Sequence, residues 1–507
     1  MAGEMGLMTV AVDGDAGAPC AGLADRFEHI DLKDKERIEE LARALASGGN
    51  LAGIMTAGTD FSATVAWATE RLGLPGIPYE AALDASDKER MRGCFARASL
   101  PSPAFAVFTG PPAPSVFGDC RAVITEKGRV PYPVVVKPVD NMGARGCRLA
   151  RTPEELGRAV EDALCFSRSG RVIVEEYMDG PEFSVDALVY KGEMTVCGLA
   201  DRHIFFPPYF IEMGHTLPAA LDDADADAIL RVFEAGARAL GITHGAAKGD
   251  MKLTSRGPMI GEIAARLSGG YMSGWTYPYA SGVSLTEGAV RIAIGEAPAG
   301  LAPKRRWTSA ERACISIPGR VSAIRGVLEA ETGQYVKQVF LRVKAGSTVR
   351  FPENNVAKCG NVISAAPSRE LAAEAAEASA RAVLIRLEAP DADTEAFLAG
   401  AGADFPPDAF GLSAQLREEL GRMPDSSGVA AILSFPAFTD SGLTDYMGRS
   451  VGESLDAVRA LTGLPLPLAD GPETPGLLAR DFWSALARGG YQGAVYTIDR
   501  LRGHGQG

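Results

Sequence analysis

The chain has 507 residues, which is enough for about three domains of ordinary size. Apolar residues make up 46% and charged residues 23%, as in typical globular proteins, so a sizeable core can be buried. Lys and Arg number 51 against 64 Asp and Glu, which gives a formal net charge of −13. This balance argues against nucleic acid or an anionic membrane as the main partner.

Several kinds of segment are missing from the sequence. No run of about 18 apolar residues occurs, so we expect no transmembrane helix. The first residues lack a basic head and an apolar core, so we expect no secretory signal. The eight cysteines form no C-x-x-C pair, which fits reduced thiols better than disulfides or a zinc ribbon. We therefore predict a cytoplasmic protein with no membrane partner.

The first 85 residues alternate between strands and helices. Apolar runs predict strands over 7–12 and 51–55, and helical periodicity predicts helices over 34–46 and 61–72. Strand–helix–strand–helix at this spacing predicts a parallel sheet. A unit of this type ordinarily begins with a strand, whereas this chain begins about where a first helix would end. We therefore expect an N-terminal parallel α/β domain without its first strand.

From residue 86 onward the pattern becomes a mixture of strands and helices. The predicted domains are an N-terminal α/β domain over 1–85, a central region over 86–297, a strand-rich region over 298–390, and an accessory domain over 391–507. The predicted elements of the central region are a helix over 87–98, strands over 132–137 and 147–150, a helix opening at Thr152, strands over 172–178 and 183–190, a helix over 222–240, and paired strands over 249–253 and 259–263.

Lys137 ends an apolar strand and is followed by a loop over 140–146 that contains two glycines. A lysine and the backbone N–H groups of such a loop suit phosphate groups. An ordinary turn beside a surface lysine explains the pattern equally well. Glu175 and Glu176, at the end of a later strand, could likewise be a solvated pair.

A sharper pattern joins Asp250 and Glu262, which are 12 residues apart across a predicted turn at 255–258. Two strands joined in this way would place both carboxylates on one face of a sheet, where they could hold Mg²⁺ against phosphate oxygens. Arg266 follows closely, and its planar guanidinium suits an anionic oxygen. An ordinary polar hairpin is the alternative.

Taken in order, these motifs resemble the ATP-grasp superfamily over about residues 10–390. The resemblance rests on Asp87-Lys88, Val136-Lys137-Pro138, the 140–146 loop, Glu175 to Met178 with Glu182, and Glu262 to Gly270. It implies a mixed α/β and α+β protein with the ATP-grasp fold. In that fold two lobes clasp ATP, after a leading α/β domain and before a capping subdomain.

The resemblance also implies a role for each motif residue. It assigns ATP contacts to Lys88 and Lys137, an adenine-facing hinge to Glu175, Glu176 and Met178, the ribose to Glu182, a phosphate-covering loop to Gly143, Arg145 and Gly146, and Mg²⁺ or Mn²⁺ to Asp250 and Glu262. ATP and the divalent cation are therefore the expected cofactors.

The segment 211–218 is similar to the substrate segment of carboxylate–amine ligases, especially L-amino-acid ligases. Arg266 and Gly269 resemble the Arg-x-x-Gly of the same enzymes. The resemblance implies that Glu212, His215 and Arg266 are catalytic, although a lone histidine such as His215 is often purely structural. The implied reaction activates a small, amino-acid-like carboxylate as an acyl phosphate and joins it to an amine. Assembly into a homo-oligomer stays open.

Two departures from the superfamily pattern keep other functions open. Ala264 stands where an asparagine is usual, and Asp250 stands where a glutamate is usual. One alternative is a bicarbonate-activating enzyme similar to biotin carboxylase or carbamoyl-phosphate synthase. The other is a nucleotide-binding regulator that has lost catalysis, for which Ala264 is the argument.

Overall fold

The structure is a computed structural model, and it describes residues 1–49, 51–112, 122–125, 128–400, 402, 404–465 and 476–504. Cys120 lies outside the described residues, and the seven other cysteines are free thiols. The chain divides into two compact units. Unit 1 comprises Met1–Glu311 and Ser364–Ala373, and unit 2 comprises Arg312–Ile363 and Glu374–Gly507. The four domains of the sequence analysis stay predictions.

The strands share one numbering along the chain. They are β1 Val10–Asp13, β2 Arg26–His29, β3 Phe105–Thr109, β4 Ala122–Thr125, β5 Gly128–Pro131, β6 Val134–Pro138, β7 Arg148–Ala150, β8 Arg171–Glu176, β9 Glu182–Tyr190, β10 Glu193–Phe205, β11 Ile211–Leu217, β12 Gly245–Thr254, β13 Gly257–Ala264, β14 Thr308–Cys314, β15 Gly319–Arg325, β16 Val336–Leu341, β17 Thr348–Val349, β18 Gly360–Ala366, β19 Leu384–Leu387, β20 Ala431–Ile432 and β21 Leu477–Leu478.

The helices are numbered in the same way. They are α1 Lys35–Ser47, α2 Ser62–Leu72, α3 Tyr79–Ser86, α4 Lys88–Arg97, α5 Pro153–Phe166, α6 Asp223–Ala239, α7 Tyr277–Ser281, α8 Leu285–Ala293, α9 Val327–Thr332, α10 Arg369–Ala382, α11 Ala392–Ala399, α12 Ala414–Arg422, α13 Pro436–Thr439, α14 Val451–Thr462 and α15 Arg480–His504. Short 3₁₀ turns cover Gly3–Met5 and Asn355–Ala357, and a π-helical turn covers Met272–Thr276.

The N-terminal segment is a parallel pair, β1 and β2, followed by helices α1 and α2. The predicted helices are confirmed, but the strand predicted over 51–55 is wrong, since these residues pair with no strand. They are extended against α8 instead: a Cβ built on Gly53 would lie 2.1 Å from the carbonyl oxygen of Ala293. Ile54 packs into a small core with Ile30. The apolar run therefore signalled burial rather than strand pairing.

The first lobe is a four-stranded antiparallel sheet in the order β3–β8–β6–β7, covered by α5. Its core is built from apolar residues of β6, β8 and α5. Thr152 caps α5, because its side chain accepts a hydrogen bond from the N–H of Glu155, and Pro153 occupies the first turn. This start of α5 confirms the helix opening expected at Thr152.

The second lobe of unit 1 is a larger sheet in the order β13–β12–β9–β10–β11, followed by the parts of β14 and β18 that belong to unit 1, residues 308–311 and 364–366. Strands β12 and β13 form the predicted hairpin, and Asp250 lies directly opposite Glu262 in the register. The two carboxylates therefore share one face of the sheet, as the 12-residue spacing predicts.

Strand β12 has two faces of opposite character. Gly249 and Met251 face the core, where Phe233 of α6 packs against them. Lys248, Asp250 and Lys252 alternate with these residues and face the other side, where they form ion pairs. Because side chains alternate along a strand, the packing of α6 on one face fixes where the charges on the other face lie.

Unit 2 has its own aromatic core, in which Phe410, Phe438, Phe482 and Trp483 are fully buried. Helix α15 is interrupted at Gly490, whose φ of 61° and ψ of −155° are not helical. No helix among the described residues of either unit is long and apolar enough to cross a bilayer.

We predict that Gly249→Ala destabilises unit 1. The new Cβ would lie 2.5 Å from the Phe233 ring, closer than carbon atoms pack, so either the ring or β12 must move. Overpacking of this kind costs about 1–3 kcal/mol of unfolding free energy. The measurement is urea unfolding of both proteins. Gly274→Ala is the matched control, since nothing lies within 4 Å of its added Cβ. Equal stability of Gly249→Ala and the wild type would contradict the packing argument.

Candidate active site

Lys137 is held by a buried carboxylate of the next strand. Its Nζ lies 2.6 Å from Oε2 of Glu175, which has 3% of its side chain exposed. Nε of Arg92 donates to the other oxygen at 2.7 Å. Burial opposes the charge of Glu175, but Arg92 and Lys137 outweigh it and hold the pKa of Glu175 below its ordinary value. Glu175 therefore holds the side chains of Lys137 and Arg92 in place. Its role in an adenine-facing hinge stays a prediction.

Lys88 begins α4 and reaches the same region. Its Nζ donates to the carbonyl oxygen of Asn141 at 2.9 Å and lies 3.4 Å from Oε2 of Glu262. Burial disfavours the charge on Lys88, yet Glu262 and Asp60 raise its pKa above the ordinary value. Burial alone would raise the pKa of Glu262, but Lys88 and other nearby cations outweigh this effect and lower the pKa to about 2. Both groups are therefore charged at neutral pH.

The 140–146 loop is anchored at both ends. Asp140 accepts hydrogen bonds from the N–H groups of Arg168 and Ser169. A Cβ on Gly146, whose φ is +68°, would lie 3.0 Å from the Phe166 ring, so only glycine fits there. Between these ends Gly143 also has a positive φ, and the Nε of Arg145 donates to the carbonyl oxygen of Met142. The guanidinium of Arg145 is thus tied to its own loop.

A second cluster of charged side chains is centred on Arg202 of β10 and includes Glu182, Glu212 and Asp250. Nε of this arginine donates to Oε2 of Glu212 at 2.9 Å, and its Nη1 lies 3.2 Å from Asp250 and 3.3 Å from Glu182. Burial disfavours its charge, but Asp250, Glu212 and Glu182 together hold the pKa of Arg202 above its ordinary value. One guanidinium therefore joins three carboxylates that the sequence assigned to the metal, the amine and the ribose.

Two lysines of β12 complete this charged face. Lys248 forms an ion pair with the same Oδ1 of Asp250 that Arg202 contacts. Lys252 lies 3.2 Å from Glu182, and its ammonium is 5.1 Å from the centre of the Tyr177 ring. In the register, Lys248 lies opposite Ala264, the position where the superfamily usually has asparagine. Lys248 therefore reaches Asp250 from the position opposite Ala264, where the superfamily usually has the amide of an asparagine.

His215 is held by a carboxylate that lies far away in the sequence. Its Nδ1 lies 2.8 Å from Oε2 of Glu311, which is fully buried on β14. With Nδ1–H donating to Glu311, the other ring nitrogen faces Glu212, whose Oε2 lies 3.7 Å away. Glu311, His215 and Glu212 form a chain of close contacts that ends at Arg202.

Arg266 follows β13 and donates from Nη1 to the carbonyl oxygen of Leu267 at 2.9 Å. It is close enough to Asp60 and Glu262 to favour their charged forms. Burial nevertheless raises the pKa of Asp60, and Glu262 adds to that effect. Arg266 therefore lies beside the carboxylate pair, at the end of the strand that carries Glu262.

Glu176 and Met178 lie apart from these clusters. Glu176 points to the opposite side of β8 from Glu175, and its Oε1 is 2.8 Å from the Arg256 guanidinium. Met178 lies in the connection between β8 and β9. The Glu176 side chain is held in an ion pair with Arg256. If Glu176 contacts a nucleotide, we therefore expect it to do so through its backbone.

Sequence reasoning missed Arg202, Lys248 and Glu311. Arg202 and Glu311 come from strands with no motif around them, and strand pairing alone brings them to the site. Lys248 could have been found, because it stands two residues before Asp250 and so shares its face in a strand.

Comparison with known proteins agrees with this geometry. A model of the ATP-grasp domain matches residues 130–274, which include Lys137, Arg202, Asp250 and Glu262. Residues 130–274 are therefore similar in sequence to ATP-grasp domains. A second model, described as L-amino acid ligase C-terminal domain 2, matches residues 312–388. The predictions of an ATP-grasp fold and of kinship with ATP-dependent enzymes that form C–N bonds are therefore confirmed.

Three similar proteins illustrate how far the likeness extends. The crystal structure of an L-amino acid ligase from Bacillus licheniformis superposes with a TM-score of 0.64 at 22% identity, covering 76% of this chain and 94% of that one. Protein y4rH of Sinorhizobium fredii is 27% identical over 69% of this chain and 71% of its own length. Carnosine synthase 1 of Gallus gallus is 28% identical over 58% of this chain, but the match spans only 33% of that longer protein.

We predict that Arg202→Met destabilises unit 1 strongly. Removing one partner from a fully buried ion pair costs about 3–5 kcal/mol, and a smaller loss is expected here because Lys248 and Lys252 remain beside Asp250 and Glu182. Here three carboxylates would lose a shared cation. Arg202→Lys should recover part of the loss, because it keeps the charge but not the three directed contacts.

Urea unfolding of these variants measures the effect. Arg238→Met is the matched control, since Arg238 forms an exposed ion pair with Glu234 on α6, and such pairs contribute about 0–1 kcal/mol. If Arg202→Met were no more destabilising than Arg238→Met, the three contacts of Arg202 would not matter for the folded state.

Proposed function

We propose that this protein is an ATP-dependent carboxylate–amine ligase acting on small, amino-acid-like substrates. The observation that carries the proposal is the triple contact of Arg202 with Glu182, Asp250 and Glu212. It places the residues assigned to the nucleotide and the metal within one guanidinium's reach of those assigned to the amine. A ligase needs this proximity, because its reactive intermediate must meet the amine before water.

ATP would lie across the two lobes of unit 1. Lys88 and Lys137 supply positive charge for its phosphates, and each is now neutralised by a carboxylate, Glu262 and Glu175 respectively. Glu182 would meet the ribose, and the backbone of 175–178 the adenine. The anchored 140–146 loop would cover the phosphates, since its backbone already turns through two positive-φ glycines.

The residues present suit one divalent cation. Asp250 and Glu262 face each other across the hairpin, and Mg²⁺ accepts two carboxylates with water or phosphate oxygens in its other positions. Within the described part of the chain, no group of three or more His, Cys, Asp or Glu side chains could share a metal. When bound, the cation would neutralise charge that develops on the transferring phosphoryl group.

The proposed reaction has two steps. A carboxylate oxygen of the first substrate forms a bond to the γ-phosphorus and ADP leaves, while Arg266 offers its guanidinium to the oxygens that gain charge. The nitrogen of the second substrate then attacks the acyl carbon and phosphate leaves. The amine must first lose a proton, and Glu212 with the His215–Glu311 pair is placed to accept it.

A cavity beside Arg266 supports a small apolar side chain on one substrate. Its volume is about 70 Å³, and its walls include Ile54, Val65, Leu267 and Ile292. The lining also includes Thr56, Ser62, Thr69, His244 and Arg266, so the cavity would suit a small side chain of a substrate amino acid. Alanine or valine fits this description better than a charged amino acid.

The test of function is phosphate release from ATP over a panel of amino acids, with amide formation measured in parallel. We expect release that depends on an apolar amino acid and an equal yield of amide. Glu212→Ala should abolish amide formation but leave slow phosphate release, because only amine use fails. Glu193→Ala, at the exposed start of β10, is the control. Release stimulated by bicarbonate alone would favour the bicarbonate-activating alternative, and no substrate-dependent release would favour a regulator.

We predict that Lys248→Met strengthens divalent cation binding. Lys248 and Arg202 both occupy the Oδ1 side of Asp250, so an incoming cation must displace the Lys248 ammonium or share the carboxylate with it. Mn²⁺ titration followed by electron paramagnetic resonance should show an affinity for Mn²⁺ that is raised several-fold. That increase corresponds roughly to the free energy of one partly exposed ion pair.

Two variants control this measurement. Asp250→Asn should lower the affinity for Mn²⁺, and Lys33→Met, at an exposed position of unit 1, should leave it unchanged. Weaker Mn²⁺ binding by Lys248→Met would show that the lysine supports the site rather than competing for it.

A further inference from the structure

Unit 2 contains a cavity that the proposed reaction does not use. Its volume is about 60 Å³, and it lies where the end of α10, the 445–449 loop and the break in α15 meet. A single water needs roughly 10–15 Å³, so the cavity could hold several waters or one small polyatomic ion. It is lined by Arg381, Asp445, Tyr446, Arg449, Gly490 and Tyr491, among others.

Two arginines converge on this cavity, and within the described part of the chain neither lies within 4 Å of a carboxylate oxygen, although Asp445 and Glu453 act on both from farther away. Nη2 of Arg449 donates to the carbonyl oxygen of Arg381 at 2.5 Å, and its guanidinium stacks over Tyr491 with 4.9 Å to the ring centre. Arg381 makes one long hydrogen bond, 3.5 Å to the carbonyl oxygen of Met447. Among the described residues, neither guanidinium forms an ion pair. Most of their donors are therefore available to a ligand.

The one carboxylate in the cavity wall is engaged elsewhere. Oδ1 of Asp445 accepts hydrogen bonds from the N–H groups of Met447 and Arg449, at 2.8 and 2.9 Å, and so closes its own loop. Burial raises the pKa of Asp445 and lowers the pKa of Arg449, and the attraction between the two groups only partly offsets these effects. Two cations against one loop-closing carboxylate leave the wall positive.

The interruption of α15 adds to this positive character. The helix stops at Gly490 and resumes at Tyr491, which lines the cavity. The resumed segment runs to His504, so its N-terminal end lies at the cavity. Helix N-termini present free N–H groups and favour negative charge.

We propose that this cavity binds a small oxyanion, a carboxylate or phosphate group held between the guanidinium groups of Arg381 and Arg449. The planar guanidinium matches the paired oxygens of both anions. The ligand joins α10, the 445–449 loop and α15, three segments far apart in the sequence, and so stabilises unit 2. The inference does not depend on the proposed function, because every residue in it lies outside unit 1.

Thermal unfolding of the full chain tests the site, with inorganic phosphate and acetate as separate probes and chloride at equal ionic strength as the reference. A ligand that binds only the folded state raises the melting temperature with concentration. We expect a saturable rise with at least one probe below about 10 mM, and isothermal titration should give one site per chain.

Variants then assign the site. Arg449→Gln and Arg381→Gln should each abolish the rise, whereas Arg422→Gln, exposed on α12, should keep it. Lys137→Ala should also keep it, which separates this cavity from phosphate binding in unit 1. Arg449→Lys covers the case in which Arg449→Gln fails to fold, and it should bind the probe more weakly. An unchanged rise in Arg381→Gln, or no saturable rise with either probe, would overturn the proposal.

Discussion

The charged face of the large sheet depends on Arg202. Three carboxylates from β9, β11 and β12 converge where little water reaches, and like charges so close would repel one another without a shared cation. A lysine could pair with one of them, but only a guanidinium offers donors in several directions at once. The arrangement of the second cluster therefore follows from one side chain and the strand that carries it.

The remaining cations of the site are paired in the same way. Lys88 lies against Glu262, Lys137 against Glu175, and Lys248 against Asp250. Such pairs orient the lysines before any ligand arrives, so a polyanionic ligand would meet a site that needs little reorganisation. The same pairs carry a cost, because a ligand must compete with carboxylates already in place.

The local parts of this molecule could be predicted from the sequence. The spacing of Asp250 and Glu262 sufficed for their cross-strand pairing, because a hairpin makes distance along the chain a guide to distance in space. Thr152 and Pro153 marked the start of α5 through capping chemistry. Motif resemblance then supplied Lys88 and Lys137, which the structure brings to the same region.

Contacts between strands that lie far apart in the chain could not be predicted from the sequence. Glu311 meets His215 only because β14 pairs with β11, and nothing near Glu311 in the chain announces that contact. The strand prediction over 51–55 was wrong for a related reason. Apolar residues show that a segment is buried, but not which neighbouring element buries it. Strand β2 was missed because its sequence, Arg26 to His29, is polar and short.

The two faces of β12 also bear on how the protein folds. A slip of one residue in the pairing of this strand would exchange its faces. Lys248, Asp250 and Lys252 would then enter the core around Phe233, and Met251 would face the ion pairs. Since burying even one unpaired charge is prohibitive, this misaligned state is excluded by chemistry as well as by hydrogen bonding. The charged residues of this face therefore also fix the register of β12 during folding.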